Sequence, residues 1–349
     1  MGNNLPKRAV LIGAGMVAHT HVAACADARK VTIHGVQSRN PKRARDLAAS
    51  AEALIGERVQ VYDSIDAVAA DPAVDFVIVI TPPDARAAIV RPLAAAGKHV
   101  LLEKPMGRSG TEAREVVRLC REAGVTLGVV FQHRMRAASC KAAQMVASGD
   151  LGALGLVEIA VPWWREQSYY DEPGRGTYAR DGGGVLISLA IHTIDLALSL
   201  AGPVKAVRAM AATTHFHNME AEDFVTAGLE FANGAVGSLV ASTSSFPGAA
   251  ESIALHFDAA SLRLQSGQLH VYWRDGQSEV FGVAGGTGGG ADPMAFTHEW
   301  HQSVIEDFAD ALIEGRTPAI TGEDALAAHD LIDAITTSAR TGGPTELTI

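Results

Sequence analysis

The sequence predicts an α/β fold in two parts. Residues 1–130 form a doubly wound parallel sheet, and residues 131–349 an α+β domain with an open, mostly antiparallel sheet. Three observations carry this reading. Apolar runs alternate with helical stretches from Arg8 to Val130, the pattern of parallel strands joined by crossover helices. The first run opens directly into Gly13-Ala14-Gly15-Met16-Val17-Ala18, a glycine turn between strand and helix. Beyond Phe131-Gln132-His133-Arg134 the alternation stops, and β-branched runs follow at hairpin spacing, as around Ala232-Asn233-Gly234.

The first strand, Arg8 to Ile12, delivers the glycine turn. Gly13 permits a tight bend, and Gly15 lets the loop backbone, Met16 and Val17 included, approach a pyrophosphate. Ala18 allows close helix–strand packing, and the amino end of that helix attracts phosphate charge. Residues 1–130 therefore read as an NAD(P)-binding domain. The second strand, Val31 to Val36, ends in Gln37-Ser38-Arg39. An NAD-preferring site usually places an acidic residue there for the ribose 2′-hydroxyl. A hydroxyl at Ser38 and a guanidinium at Arg39 could instead hold a 2′-phosphate. The cofactor is thus NADP or NAD, with NADP favoured; the alternative is an ordinary capped helix with a solvated basic face.

Val74 to Ile80 is near-continuously apolar, as in a strand covered on both faces. It ends in Thr81-Pro82-Pro83-Asp84, at the same sheet edge as the glycine loop. A helix from Asp84 to Ala96 leads to the strand Val100 to Leu102, which delivers Glu103-Lys104-Pro105. Ligands of such sheets bind outside the carboxyl ends of the strands. A lysine there meets the ligand, and Pro105 restricts the backbone that carries it. A helix, Thr111 to Ala123, and a strand, Val125 to Val130, complete this part.

The second part begins with a helix at Ala137 to Ser148 and a strand at Gly155 to Val161. An unusual loop, Pro162-Trp163-Trp164-Arg165 to Gly176, follows. Gly182-Gly183-Gly184 then opens an apolar helix, Val185 to Leu200. Strands are expected over 204–214, 224–231, 235–243, 251–258, 261–265 and 269–273, with helices on one sheet face and an oligomer surface on the other. The glycine-rich stretch 282–290 is a connector or an active-site flap. Helices at Thr297 to Glu314 and Gly322 to Arg340 finish the chain.

Composition narrows the class. Hydrophobic residues at 48% suffice for a sizeable core, and a net charge of −10 argues against nucleic-acid or anionic-membrane partners. Three cysteines without CxxC spacing, no signal-peptide pattern and no apolar run near ~18 residues suit a cytoplasmic protein.

Ser188, His192 and Asp195 fall at i, i+4 and i+7 and share one helical face. The histidine and carboxylate could be a metal pair, an acid/base imidazole with its partner, or a satisfied core histidine. His215 and His217 alternate on a strand without an apparent third ligand, so no metal is expected. His21 reads as a structural residue of the first helix, and His298 and His301 as a far wall of the substrate pocket.

Taken together, Gly13-x-Gly15-x-x-Ala18, Thr81-Pro82-Pro83, Glu103-Lys104-Pro105 and Gly182-Gly-Gly…His192-x-x-Asp195 resemble the Gfo/Idh/MocA oxidoreductases over essentially the whole chain. The resemblance implies NAD(P)-linked oxidation or reduction of a sugar, sugar derivative or cyclic polyol without metal, in a homo-oligomer built on the carboxy-terminal sheet. It implies Lys104 as the central acid/base residue and Glu103 against the cofactor's ribose or nicotinamide side, with Pro105 often in a cis bond. His192 would share the proton transfer, and Asp195 would orient it or contact substrate. The family's dehydrogenases often carry an aspartate where this chain has Ser188. A serine hydrogen-bonds but does not share a proton as a carboxylate does, so Lys104 and His192 carry more of the transfer. Trp163-Trp164-Arg165 with Tyr169-Tyr170 resembles the substrate loops of sugar-nucleotide members. Trp164 could stack on a ring and Arg165 or Arg175 take an anionic group, or the tryptophans simply pack at a domain edge. A non-sugar cyclic diol or carbonyl is the alternative substrate class, and a non-catalytic dinucleotide sensor the alternative function.

Overall fold

The structure is a computed structural model, described for residues 5–285 and 297–348. The chain divides into two compact units. One comprises the described residues through Gln132 together with Thr297–Leu326; the other begins at His133 and resumes at Ala327.

In the first unit, strands β1 (Lys7–Ile12), β2 (Val31–Gln37), β3 (Gln60–Tyr62), β4 (Phe76–Val79), β5 (His99–Glu103) and β6 (Leu127–Val130) form one parallel sheet. Its order, β3-β2-β1-β4-β5-β6, reverses direction beside β1, which puts a crevice at the carboxyl ends of β1 and β4. Helices α1 (Ala18–Asp27), α2 (Pro41–Ile55), α3 (Ile65–Ala70), α4 (Arg86–Ala95) and α5 (Gly110–Glu122) make the crossovers. The sheet is the core: Phe76, Val77, Ile78 and Val79 are all fully buried, as are Val100, Leu101 and Leu102. Each such side chain is worth about 1.5–3 kcal/mol of transfer free energy. Turn chemistry agrees with the pattern. Asn40 accepts from the amides of Lys42 and Arg43 ahead of α2, and Ser109 accepts from Glu112 ahead of α5.

Register fixes what meets at the edge. Ile12 lies opposite Gln37 and Val79, Val79 opposite Leu102, and Leu102 opposite Val129. Because the strands are parallel, the glycine loop, Ser38, Thr81-Pro82 and Glu103-Lys104 all leave one edge together.

In the second unit, β7 (Leu154–Pro162), β8 (Val204–Ala212), β9 (Phe224–Phe231), β10 (Val236–Ser242), β11 (Ser252–Phe257), β12 (Ala260–Gln265), β13 (Gln268–Trp273) and β14 (Ser278–Gly282) build an open sheet. All pairings are antiparallel except that of β7 with β10. Helices α6 (Ala137–Ser148) and α8 (Ile191–Ala201) pack on it, and a short α7 (Gln167–Tyr170) lies in the tryptophan loop. Val157, Ile159, Leu239, Leu255, Leu262 and Val271 are buried, whereas Leu156, Met210, Val236, Val240 and Tyr272 are exposed. This is the alternation of a sheet covered on one face.

The chain then returns to the first unit with α9 (Glu299–Glu314). The next helix, α10 (Gly322–Thr341), begins in that unit and ends in the second, where β15 (Thr345–Glu346) pairs with β8. A single cut near residue 130 does not anticipate this return, nor does the hydrophobic pattern announce β14, β15 or α7. Gly282 closes β14; residues 286–290 of the glycine-rich stretch lie outside the described residues.

Candidate active site

At the sheet edge of the first unit, Gly13 has φ +112°. A Cβ there would also stand 3.2 Å from the carbonyl carbon of Ile80 and 3.3 Å from Thr81 Cγ2. Both backbone and space require glycine. Helix α1 starts without protection: Val17 supplies no capping side chain, and no acidic residue stands in the first turn. The Ala18 amide donates to the Gly15 carbonyl at 3.1 Å, and no side chain or acidic residue covers the rest of this helix start, the kind of end that attracts an anion. Gly15 and Met16 are exposed beside it, and the buried Thr81 hydroxyl has no hydrogen-bond partner among the described residues. These features fit a dinucleotide pyrophosphate. Gln37 is buried, with its carbonyl taken by the Gly13 amide at 2.8 Å; Ser38 is half-buried and Arg39 exposed.

Lys104 is half-buried at the end of β5, and the Lys104–Pro105 peptide is cis. Its backbone is pinned by a residue that sequence reasoning missed. Arg86 is 3% exposed on α4. Its guanidinium donates to the carbonyls of Thr81 (2.8 and 3.0 Å), Lys104 (3.3 Å) and Glu103. Burial pushes this guanidinium down to about 9, against the opposing pull of Glu103 and Asp84, so it stays charged at neutral pH. The only hint in the sequence was an arginine among the alanines of a crossover helix.

Glu103 is placed differently from the expectation that it faces the cofactor. Its carboxylate is buried, accepting from His21 Nε2 at 2.8 Å through Oε1 and from the Lys104 amide at 3.0 Å through Oε2. His301 Nε2 stands 3.7 Å from Oε1. His301, expected on a pocket wall, is 1% exposed and edge-on to His21. His298 instead pairs with Asp27 at 2.7 Å on the surface of this unit. Spacing could not show this, because the carboxylate lies 82 residues from His21 and His301 arrives on the returning helix.

In the second unit, Gly184 runs so close to Glu222 that a Cβ would lie 1.8 Å from the Glu222 carbonyl oxygen. The glycine run thus serves a backbone approach. The Glu222 carboxylate accepts from the amides of Gly184 (3.1 Å) and Leu186 (3.2 Å), and its carbonyl from Val185 (2.9 Å). The protein itself supplies the anion at this helix start. Burial raises the Glu222 carboxyl, opposed by those amide bonds.

The helix is not regular. Leu186–Ala190 is a π-helical turn that runs into α8, an irregularity frequent at functional sites. The expected single stripe is split among different partners. The Ser188 hydroxyl donates to the Gly184 carbonyl. His192 stacks on His133, with centroids 4.8 Å apart and planes 25° apart. Asp195, 1% exposed, accepts both arms of Arg134 at 2.7 and 2.5 Å. Its main charge partner is therefore an arginine the sequence analysis did not single out. His133 and Arg134 lie in the Gln132–Met135 turn at the start of this unit.

The tryptophan loop is packed among its own aromatic rings. Arg165 is 2% exposed, 5.2 Å from the Trp163 ring and 5.7 Å from that of Tyr169, and donates to the Trp164 carbonyl. It is a buried cation packed against aromatic rings. Arg175 lies over Tyr169 and pairs with Glu172. Trp163 is buried; Trp164 is half-buried in an aromatic cluster with Phe216 and Phe246. His217 lies in a loop, not a strand, and its ring nitrogens meet Asp223 (2.7 Å) and the Arg165 carbonyl (2.8 Å). Neither nitrogen is left for a metal.

Comparison with known proteins agrees with this architecture. The profile described as "Oxidoreductase family, NAD-binding Rossmann fold" matches residues 7–131, and "GFO/IDH/MocA C-terminal domain" matches residues 140–263. D-apiose dehydrogenase of Rhizobium rhizogenes is 26% identical over 96% of both chains. Some other curated relatives are matched over about half their length, whereas the inositol 2-dehydrogenase of Rhizobium meliloti is 26% identical over 93% of this chain and 94% of that one. "Uncharacterized oxidoreductase C115.03" of Schizosaccharomyces pombe, among the former, is 30% identical over 48% of this chain and 45% of that one. The WlbA dehydrogenase of Bordetella pertussis, solved with NADH and UDP-GlcNAcA, superposes with TM-score 0.81 at 28% identity over 99% of both chains. The glycine loop, the Lys104 edge and the matched halves together make this chain an NAD(P)-binding oxidoreductase of the GFO/IDH/MocA family.

Proposed function

We propose that this protein transfers a hydride between NAD(P) and a hydroxyl or keto carbon of a sugar, sugar derivative or cyclic polyol, with Lys104 and His192 as its acid/base residues. The observation that carries the reading is the Lys104 amine at the end of β5, on the edge where the glycine loop leaves β1. A bound nicotinamide supplies the hydride donor or acceptor. The chain's own groups then move the proton: the Lys104 ammonium gives it to, or the amine takes it from, the substrate oxygen. Positioned acid–base catalysis of this kind is worth ~10²–10⁴-fold. Arg86 supports the step by holding the carbonyls around Lys104 in place. His192, with its ring set by the His133 stack, is the second proton-transfer group, and the half-buried Trp164 a stacking surface for a ring.

Lys104→Met tests this directly. Turnover with a panel of aldoses, inositols and nucleotide sugars should fall by about two to four orders of magnitude, with NAD(P)H binding kept. Retained turnover would remove Lys104 from the chemistry. The preferred cofactor is NADP, because Arg39 is exposed beside Ser38 and no carboxylate competes there. Arg39→Ala should weaken NADPH binding by about 10- to 100-fold, the worth of one charged hydrogen bond, and leave NADH nearly unchanged.

The exposed face of the second unit's sheet is the subunit contact of a homo-oligomer. Val236 lies opposite Leu156, and Val240 in the same cross-strand row as Met210 through Thr226. Such a band of exposed apolar side chains is buried when two copies meet. Val240→Glu with Met210→Glu should lower the mass observed by sedimentation.

A further inference from the structure

We infer that His21 and His301 are positioning residues, which fix the Lys104 loop through the buried carboxylate of Glu103. The inference rests on the reading of Lys104 as the acid/base group. Three distant segments of the first unit converge on this carboxylate. They are α1 just after the glycine loop, the end of β5, and the first turn of α9.

The bonding is specific. Oε1 takes the proton of His21 Nε2 at 2.8 Å and faces His301 Nε2 at 3.7 Å. Oε2 turns back onto the amide of the very next residue, Lys104, at 3.0 Å. A side chain that accepts from its neighbour's amide fixes the peptide between them. That peptide sets the direction in which the Lys104 side chain leaves the sheet.

The protonation state follows from satisfaction of the buried groups. His21 is fully buried and its Nδ1 has no hydrogen-bond partner among the described residues. A carboxylate oxygen only accepts, so the His21–Glu103 bond needs the proton on Nε2. Burial pushes the His301 imidazole down, opposed by its bond to Glu103. Burial would raise the Glu103 carboxyl, but the hydrogen bond from His21 and the nearby His301 imidazole hold it well below the carboxylate range.

Two imidazoles and a carboxylate are also a donor set for a divalent cation. A tetrahedral zinc bonded at about 2.0–2.2 Å would hold its donors roughly 3.4 Å apart. The 2.8 Å separation of His21 and Glu103 is instead that of a shared proton.

The test uses the full chain in three variants. His21→Phe removes the donor at similar volume, and His21→Gln returns an amide N–H close to the Nε2 position. His301→Gln serves in place of His21→Phe if that variant does not fold. Exchange of the Lys104 amide, read by NMR or mass spectrometry, should accelerate at least tenfold in His21→Phe and stay within about threefold in His21→Gln. The kcat on whichever panel sugar the wild type turns over should fall 10- to 100-fold in His21→Phe, with KM for NAD(P)H within threefold, and recover in His21→Gln. Unchanged exchange and kcat in a folded His21→Phe would overturn the inference, as would stoichiometric zinc in the purified protein. A wild type that turns over while Lys104→Met does so equally would sink the reading of Lys104 alone. Amide exchange would still decide whether the cluster holds the loop.

Discussion

The fate of the Asp195 charge is open to a quantitative test. The sequence spacing offers it to His192, and the structure holds it in a two-armed pair with Arg134, with Asp195 1% exposed. The Arg134 side chain is 17% exposed, so the pair is largely desolvated. Removing one partner of such a pair leaves the other charge uncompensated, at about 3–5 kcal/mol. The partial exposure of Arg134 puts the expected cost for Asp195→Asn or Arg134→Met near the lower figure, about 3 kcal/mol. Removing both leaves no stranded charge. The Asp195→Asn/Arg134→Met double variant should therefore lose about 2–4 kcal/mol rather than ~6, a coupling of roughly 2–4 kcal/mol. Urea unfolding followed by tryptophan fluorescence measures this well, because Trp163, Trp164 and Trp273 all belong to the second unit. A coupling below about 0.5 kcal/mol would refute the argument. It would mean that the Asp195 charge is spent elsewhere, on His192 or a substrate, as the spacing suggests.

Gly184→Ala should cost at least ~3 kcal/mol, since its Cβ would overlap the Glu222 carbonyl oxygen at 1.8 Å and break buried amide bonds. Gly155→Ala, whose nearest neighbour is at 3.8 Å, should stay within about 1 kcal/mol in the same thermal melt. The fold should weaken on acidification from about pH 7 towards 5. His99 and His301 have folded-state pKa values pushed below 6.5, chiefly by burial. The unfolded chain then binds protons first, and stability is lost as pH falls through the ordinary histidine range. Glu103, depressed in the fold, adds to this only at lower pH, through the carboxylate range. A urea midpoint that is flat over pH 5–7 would contradict this. Burial pushes the Cys25 and Cys120 thiols up to about 12, while Cys140 is half-buried with a smaller rise. Ellman's reagent should leave Cys25 and Cys120 unreacted in the native protein, and all three thiols should react after unfolding.

The sequence alone determined the parallel sheet, its strand positions and the residues at its ligand edge. Those signals are local. A period of two or 3.6, a glycine that must bend and a proline after a lysine are each readable within a few residues. Gly13, Thr81 and Lys104 stand where that pattern puts them. What only the tertiary structure decided is which charge each polar residue spends. Glu103 turned inward to two histidines, one of them on a helix that returns to the first unit after the second has been traversed. Asp195 went to Arg134, and Arg165 into a stack of aromatic rings. The helical stripe of Ser188, His192 and Asp195 runs through a π turn, and Arg134 and His133 from the preceding turn meet two of its members. Periodicity records which face of an element is buried. Pairing of buried charges depends on what lies opposite, and that is set by segments far away in the chain.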